Sequence, residues 1–134
     1  MNQPLPASLP GVMALAFLGD AVYGLYVRDM LVRRGDAPHG SLHSASLSYV
    51  TAEAQAAAYR RLLPHLTEYE ADLCRRAYNS GHLSGPKRAR AEDYRCATAL
   101  EALVGMLHYT SQSPRLDSLM ALCLDDSIQQ KETP

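Results

Sequence analysis

A chain of 134 residues, 47% of them hydrophobic and with a net charge of −1, has the size and core material of one globular domain. Its longest apolar stretches, near 12–18 and 99–107, run into Gly, Asp or Glu and fall short of the ~20 apolar residues of a bilayer span, so no membrane role is expected. Cys74, Cys96 and Cys123 stand far apart with no Cys-x-x-Cys pair, which argues against zinc and disulfide frameworks and fits a reducing cytoplasm.

Helical periodicity dominates from the N-terminus onward, and the chain is expected to be all-α. Residues 1–10 hold Pro4, Pro6 and Pro10 and read as an irregular arm, with no basic segment ahead of an apolar core and hence no secretory signal. A first helix is predicted from about Gly11 to Arg34, with Val12, Leu15, Leu18, Val22, Leu25, Val27 and Leu31 at helical spacing and Gly35 as its stop. This helix is apolar on more than one side, which in so small a domain points to burial against a second subunit. A loop over 36–40 leads to a short helix over 41–48, and Thr51 can cap an alanine-rich third helix ending near Pro64.

Thr67-Glu68-Tyr69-Glu70 forms a capping box that opens a fourth helix reaching about Asn79. Two glycines and a proline over 80–87 predict a loop. A fifth helix is predicted over about 92–110, and Ser113-Pro114 reads as the N-cap and first residue of a sixth. One helical domain over 11–128 accounts for the chain, with 129–134 frayed.

The near-neutral total hides an uneven charge distribution. Six of the 13 basic residues (Arg75, Arg76, Lys87, Arg88, Arg90 and Arg95) cluster around the 80–87 loop, opposed there by Glu92 and Asp93 alone. Such a patch suits limited contact with a polyanion, or else an ordinary solvated surface. Two acids are placed differently. Asp20 has Ala16, Phe17, Tyr23 and Gly24 as its helical neighbours, and Glu101 has Ala97, Thr98, Val104 and Gly105. An ionised carboxylate in apolar surroundings needs a cation or a shifted pKa. One reading pairs each acid with an arginine such as Arg95 or Arg28, or leaves it facing water. Alternatively the small residues Gly19, Ala21, Ala102 and Gly105 leave room for a hydrated Mg²⁺ bound by both. His39, His43, His65, His82 and His108 show no metal-ligand spacing.

These residues carry a resemblance. Phe17-Leu18-Gly19-Asp20-Ala21-Val22 resembles the first motif of the ribonuclease III family, and Glu101-Ala102-Leu103-Val104-Gly105 resembles its second acidic motif. The chain is most similar to the family's short Mini-III branch, which lacks a double-stranded-RNA-binding domain. The likeness runs over residues 11–125 through Tyr26-Val27-Arg28, Tyr49-Val50-Thr51-Ala52, Ala54-Gln55-Ala56, Arg76, Asn79, Pro86-Lys87 and Tyr94-Arg95 to Thr98. The longer enzymes tend to carry further acids where this chain has Met13, Ala16 and Thr98, so the resemblance implies a sparse site. The 80–87 loop also departs from the usual form, with His82-Leu83 ahead of Pro86-Lys87.

The resemblance implies a helical catalytic domain and a homodimer with one site per subunit. It implies Mg²⁺-dependent cleavage of double-stranded RNA, with Mn²⁺ able to substitute, leaving 5′-phosphate and 3′-hydroxyl ends. The implied substrate is precursor large-subunit (23S) ribosomal RNA, with a ribosomal-protein helper left open. Asp20 and Glu101 would be the catalytic, metal-holding residues, and Arg76, Asn79, Lys87, Arg88 and Arg90 the RNA-binding ones. The competing reading is a non-catalytic RNA-binding or ribosome-associated protein on the same fold.

Overall fold

The expected stop signals divide the chain into helices in the computed structural model, which describes residues 8–80 and 88–125, with Arg88 and Ala89 described by backbone alone. The described helices are α1 (Val12–Arg34), α2 (His39–Val50), α3 (Ala52–Leu62), α4 (Glu68–Ser80), α5 (Arg88–Tyr109) and α6 (Ser113–Cys123), with a 3₁₀ turn at Leu63–His65 after α3. No strand occurs among the described residues, and no helix there is long and apolar enough to cross a membrane. Most of the predicted arm, the loop residues 81–87 and the predicted frayed end lie outside the described residues.

Caps set most boundaries. The Thr51 hydroxyl accepts from the Ala54 N–H at 3.2 Å and starts α3 directly after α2. Thr67 and Glu70 bond reciprocally, Glu70 Oε1 to the Thr67 N–H at 2.9 Å and Thr67 Oγ1 to the Glu70 N–H at 3.1 Å. Three boundaries differ from the sequence reading. α2 gains a turn at its start, because the Leu42 N–H already bonds the Pro38 carbonyl at 3.1 Å and draws in His39 and Gly40. α5 begins at Arg88 rather than near 92, since the Arg-Ala-Arg-Ala run is made of strong helix formers. Ser113 is the first residue of α6 rather than its cap, which is Gln112.

α5 is the axis of the fold, packed against α1, α3, α4 and α6. From Ala99 onward, Leu100, Ala102, Leu103, Val104, Met106 and Leu107 are all buried, so this stretch meets protein on every side. Each such Leu or Met contributes about 1.5–3 kcal/mol of burial free energy. α1 covers one flank through Leu15, Ala16, Gly19, Val22, Tyr23 and Val27. At the far end, Arg115 of α6 reaches the 4%-exposed Glu70 with two hydrogen bonds (2.7 and 2.9 Å) and the His65 carbonyl with a third (2.7 Å). Burial alone would raise the Glu70 pKa; Arg115 and the Thr67 N–H outweigh it and hold it below the usual value.

The α1–α5 crossing is unusually close. A Cβ on Gly19 would lie 1.7 Å from the Glu101 carbonyl oxygen, and one on Gly105 would lie 1.9 Å from the Leu15 carbonyl oxygen. Each helix therefore presses its backbone into a notch that only glycine provides. Gly19→Ala or Gly105→Ala should cost about 1–3 kcal/mol or more by overpacking and lower Tm by roughly 5 °C or more. A Cβ on Gly24 meets nothing within 4 Å, so Gly24→Ala should be neutral or stabilising. Thermal melts of the three variants check this, and equal losses in all three would refute the close-crossing account.

Candidate active site

The glycine-to-glycine crossing dictates where two acids fall. Asp20 follows Gly19 on α1, and Glu101 is the residue whose carbonyl Gly19 touches on α5. Their carboxylates come within hydrogen-bonding reach of each other, Asp20 exposed and Glu101 half-buried. Small residues beside the acids were expected to leave space for an ion. Gly19 and Gly105 instead admit the opposing backbone, and the space lies beside the crossing. It is an open cleft of about 510 Å³, walled by Met13, Ala16, Phe17 and Asp20 of α1, by Gln55 of α3, and by Tyr94, Thr98 and Glu101 of α5. A second hollow of about 560 Å³ continues past Asp20 towards Arg28 and His43.

No described arginine forms an ion pair with either carboxylate. Arg95 lies over the Tyr78 ring at 5.6 Å, its Nε buried without a hydrogen bond. Burial first, then hydrogen bonding to Asp20 and the Asp20 charge, push Glu101 up to about 8, with the Gln55 amide opposing them. Met13, Ala16 and Thr98 all line the cleft, so the positions where longer relatives tend to carry acids face this site with a thioether, a methyl and a hydroxyl. The Thr98 hydroxyl donates to the Tyr94 carbonyl at 2.9 Å.

Gln55 was not among the candidate residues. It is 3% exposed, and its amide lies within reach of Glu101. The available signal was its place in the alanine-rich α3, on the same face as Tyr59 and Leu62, where a long polar side chain needs a partner.

None of the described RNA-binding candidates lines the cleft. Arg76 and Asn79 are exposed on the last turns of α4, and Arg90 is exposed on the first turn of α5. Arg76 Nε bonds Asp72 at 3.1 Å, an exposed pair worth at most about 1 kcal/mol and readily exchanged. The Ser80 hydroxyl sits 3.2 Å from the Met13 sulfur, joining the end of α4 to the cleft wall. Lys87 and the Arg88 side chain lie outside the described residues.

The donor set fits a hard divalent cation. Mg²⁺ takes oxygen ligands, keeps several waters and commonly uses only one or two carboxylates. No group of three or more His, Cys, Asp or Glu gathers among the described residues, so Asp20 and Glu101 are the acids on offer.

Known proteins are similar to this chain over most of its length. The family model described as Ribonuclease III domain matches residues 13–112. A Mini-ribonuclease 3 of Symbiobacterium thermophilum is 42% identical over 90% of this chain and 92% of that protein. One of Enterococcus faecalis is 40% identical over 84% of this chain and 86% of its own length. A crystal structure of a Fusobacterium nucleatum protein superposes with a TM-score of 0.77 at 26% identity, over 85% of this chain and 93% of that one.

The raised Glu101 pKa has a stability consequence in the metal-free protein. From its ordinary value of 4.5 up to about 8, the folded state holds a proton that the unfolded state has lost. This contribution is therefore full below the lower value and fades as pH rises through the upper one. With a chelator present, Tm should fall more steeply between pH 5 and 8 for wild type than for Glu101→Gln. Parallel Tm–pH curves for the two proteins would refute the assignment.

Proposed function

The chain belongs to the ribonuclease III family and is an endoribonuclease, and on that premise we propose that it cuts double-stranded RNA with Mg²⁺ held between Asp20 and Glu101. Mn²⁺ substitutes for it, and the products carry 5′-phosphate and 3′-hydroxyl ends. The observation that carries the proposal is the pair of carboxylates brought together at an open cleft, with no described arginine paired to either of them. Forcing two like charges together is costly unless a cation is the intended partner.

A bound Mg²⁺ supplies phosphate charge neutralisation and an acidified water. The protein's share is placement. Asp20 and Glu101 would hold the ion from two different helices, which the α1–α5 crossing rather than a loop brings together. The Thr98 hydroxyl directs its hydrogen bond to the Tyr94 carbonyl, which leaves its oxygen free to accept one, for instance from a water. Arg76, Asn79 and Arg90, with Lys87 and Arg88, take the RNA backbone, where A-form duplex offers phosphates and 2′-hydroxyls. We assign the substrate as precursor 23S ribosomal RNA in the cytoplasm, on the resemblance to the Mini-III branch carried by the motifs around Asp20 and Glu101.

The working unit in this proposal is a homodimer. The outward side of α1 exposes Phe17 (85%) and Leu25 (66%), together with Met13 and Val32, an apolar strip that a second copy would cover. Phe17→Glu and Leu25→Glu should shift light-scattering mass from two chains towards one. A mass unchanged in both would remove this face as the interface.

Cleavage of a duplex RNA with Mg²⁺ by wild type, Asp20→Asn and Glu101→Gln tests the site. Outer-sphere partners of metals are worth roughly 10–100-fold, so losing a direct carboxylate should cost on the order of 100-fold or more. Undiminished cleavage by both variants would defeat the metal-site assignment. Binding by wild type without cleavage would favour the RNA-binding alternative.

A further inference from the structure

Four described polar or charged side chains are buried: Ser46, Gln55, Glu70 and Thr110. Three serve the fold. Ser46 donates to the His43 carbonyl at 2.6 Å, Thr110 donates to the Met106 carbonyl at 2.8 Å, and Glu70 closes a capping box and receives Arg115. Gln55 differs, because its amide reaches the carboxylate of Glu101 and its side chain forms part of the cleft wall. A buried amide is costly unless hydrogen-bonded, and an apolar side chain of similar volume would suit packing against the core equally well. Stability alone therefore gives no reason for a glutamine at this position.

An ionised carboxylate only accepts hydrogen bonds, so the Gln55 side chain can serve Glu101 only through its N–H donors. A neutral donor orients the acid without competing for it. A lysine or arginine there would form an ion pair and occupy the charge that a metal needs. Glu101 thus lies between two partners, the Gln55 amide on α3 and the Asp20 carboxylate on α1. Gln55, 3% exposed, and Glu101 share the wall of the cleft, so the amide stands beside the carboxylate it would orient.

We propose that Gln55 is a positioning residue, a neutral second-layer donor that orients Glu101 for a divalent cation. The proposal rests on the reading of Asp20 and Glu101 as the metal-holding pair. It makes α3 part of the active site, although that helix contributes no acid to the cleft.

Gln55→Met keeps the length of the side chain and removes its donor; Gln55→Leu does so with a branched shape. Three quantities separate positioning from packing: Mn²⁺ binding followed by the loss of its free-ion electron paramagnetic resonance signal, kcat and KM on duplex RNA, and Tm with a chelator. The expected result is a fall of about 10- to 100-fold in Mn²⁺ affinity, as for other outer-layer metal partners, with a drop in kcat at subsaturating metal. KM for RNA should stay within about twofold, and the metal-free Tm should be unchanged or higher in at least one variant. Wild-type Mn²⁺ affinity in both variants, or losses that simply track a lowered metal-free Tm in both, would overturn the role of Gln55. Glu101→Gln is the control that distinguishes the two levels. Unaltered Mn²⁺ binding there would defeat the metal-pair reading and this proposal with it. Weakened binding there, with none in the Gln55 variants, would defeat the positioning role alone.

Discussion

Two backbones touch where α1 crosses α5, and the remaining architecture is arranged around that contact. Gly19 meets the Glu101 carbonyl and Gly105 meets the Leu15 carbonyl, so each helix supplies one notch and one ridge. Interaxial separation is ordinarily set by the side chains at the contact, about 8–10 Å. Removing both Cβ atoms lets the two backbones meet and brings the acidic side chains of the two helices together. The wall of buried leucines along α5 then fixes the crossing from the other sides through α3, α4 and α6.

The electrostatic arrangement follows from that geometry. Asp20 and Glu101 are adjacent because their backbones are, and the protein accepts their repulsion by keeping one of them protonated or by offering both to a cation. The described arginines that form ion pairs or ring contacts do so with other partners. Arg115 secures Glu70 at the opposite end of the domain, and Arg95 stacks on Tyr78 at the α4–α5 junction, where Tyr78 also donates to Glu92. Structural ion pairs and the acidic cleft are thus kept apart, which leaves the cleft's charge available.

Much of this was legible in the sequence because it depends on local signals. The Thr67–Glu70 box, the Thr51 cap and the stop at Gly35 each place a boundary through residues close in sequence. Asp20 and Glu101 stood out as acids among apolar neighbours, and the family motifs gave them a shared purpose. Tertiary information was less visible. Gly19 and Gly105 looked like room for an ion, when their function is to admit a backbone from a helix more than 80 residues away, as the numbering alone indicates. Gln55 gave a faint signal because a single amide in an alanine-rich helix acquires meaning only once its neighbour on α5 is known. The extra turns of α2 and α5 were missed because Gly40 and the run from Arg88 sit beside loop-like residues that masked their own helix tolerance.

Phe17 belongs to two surfaces at once. It lines the cleft beside Asp20, and it stands out from α1 more than any other large apolar side chain described. In a dimer formed across that face, covering Phe17 rebuilds one wall of the cleft, so self-association and occupancy of the site become thermodynamically linked. Whatever binds the covered form more tightly strengthens the pairing of subunits by the same factor. Below the dissociation constant of the dimer, turnover per chain would then fall with dilution, and duplex RNA would restore it by drawing chains together.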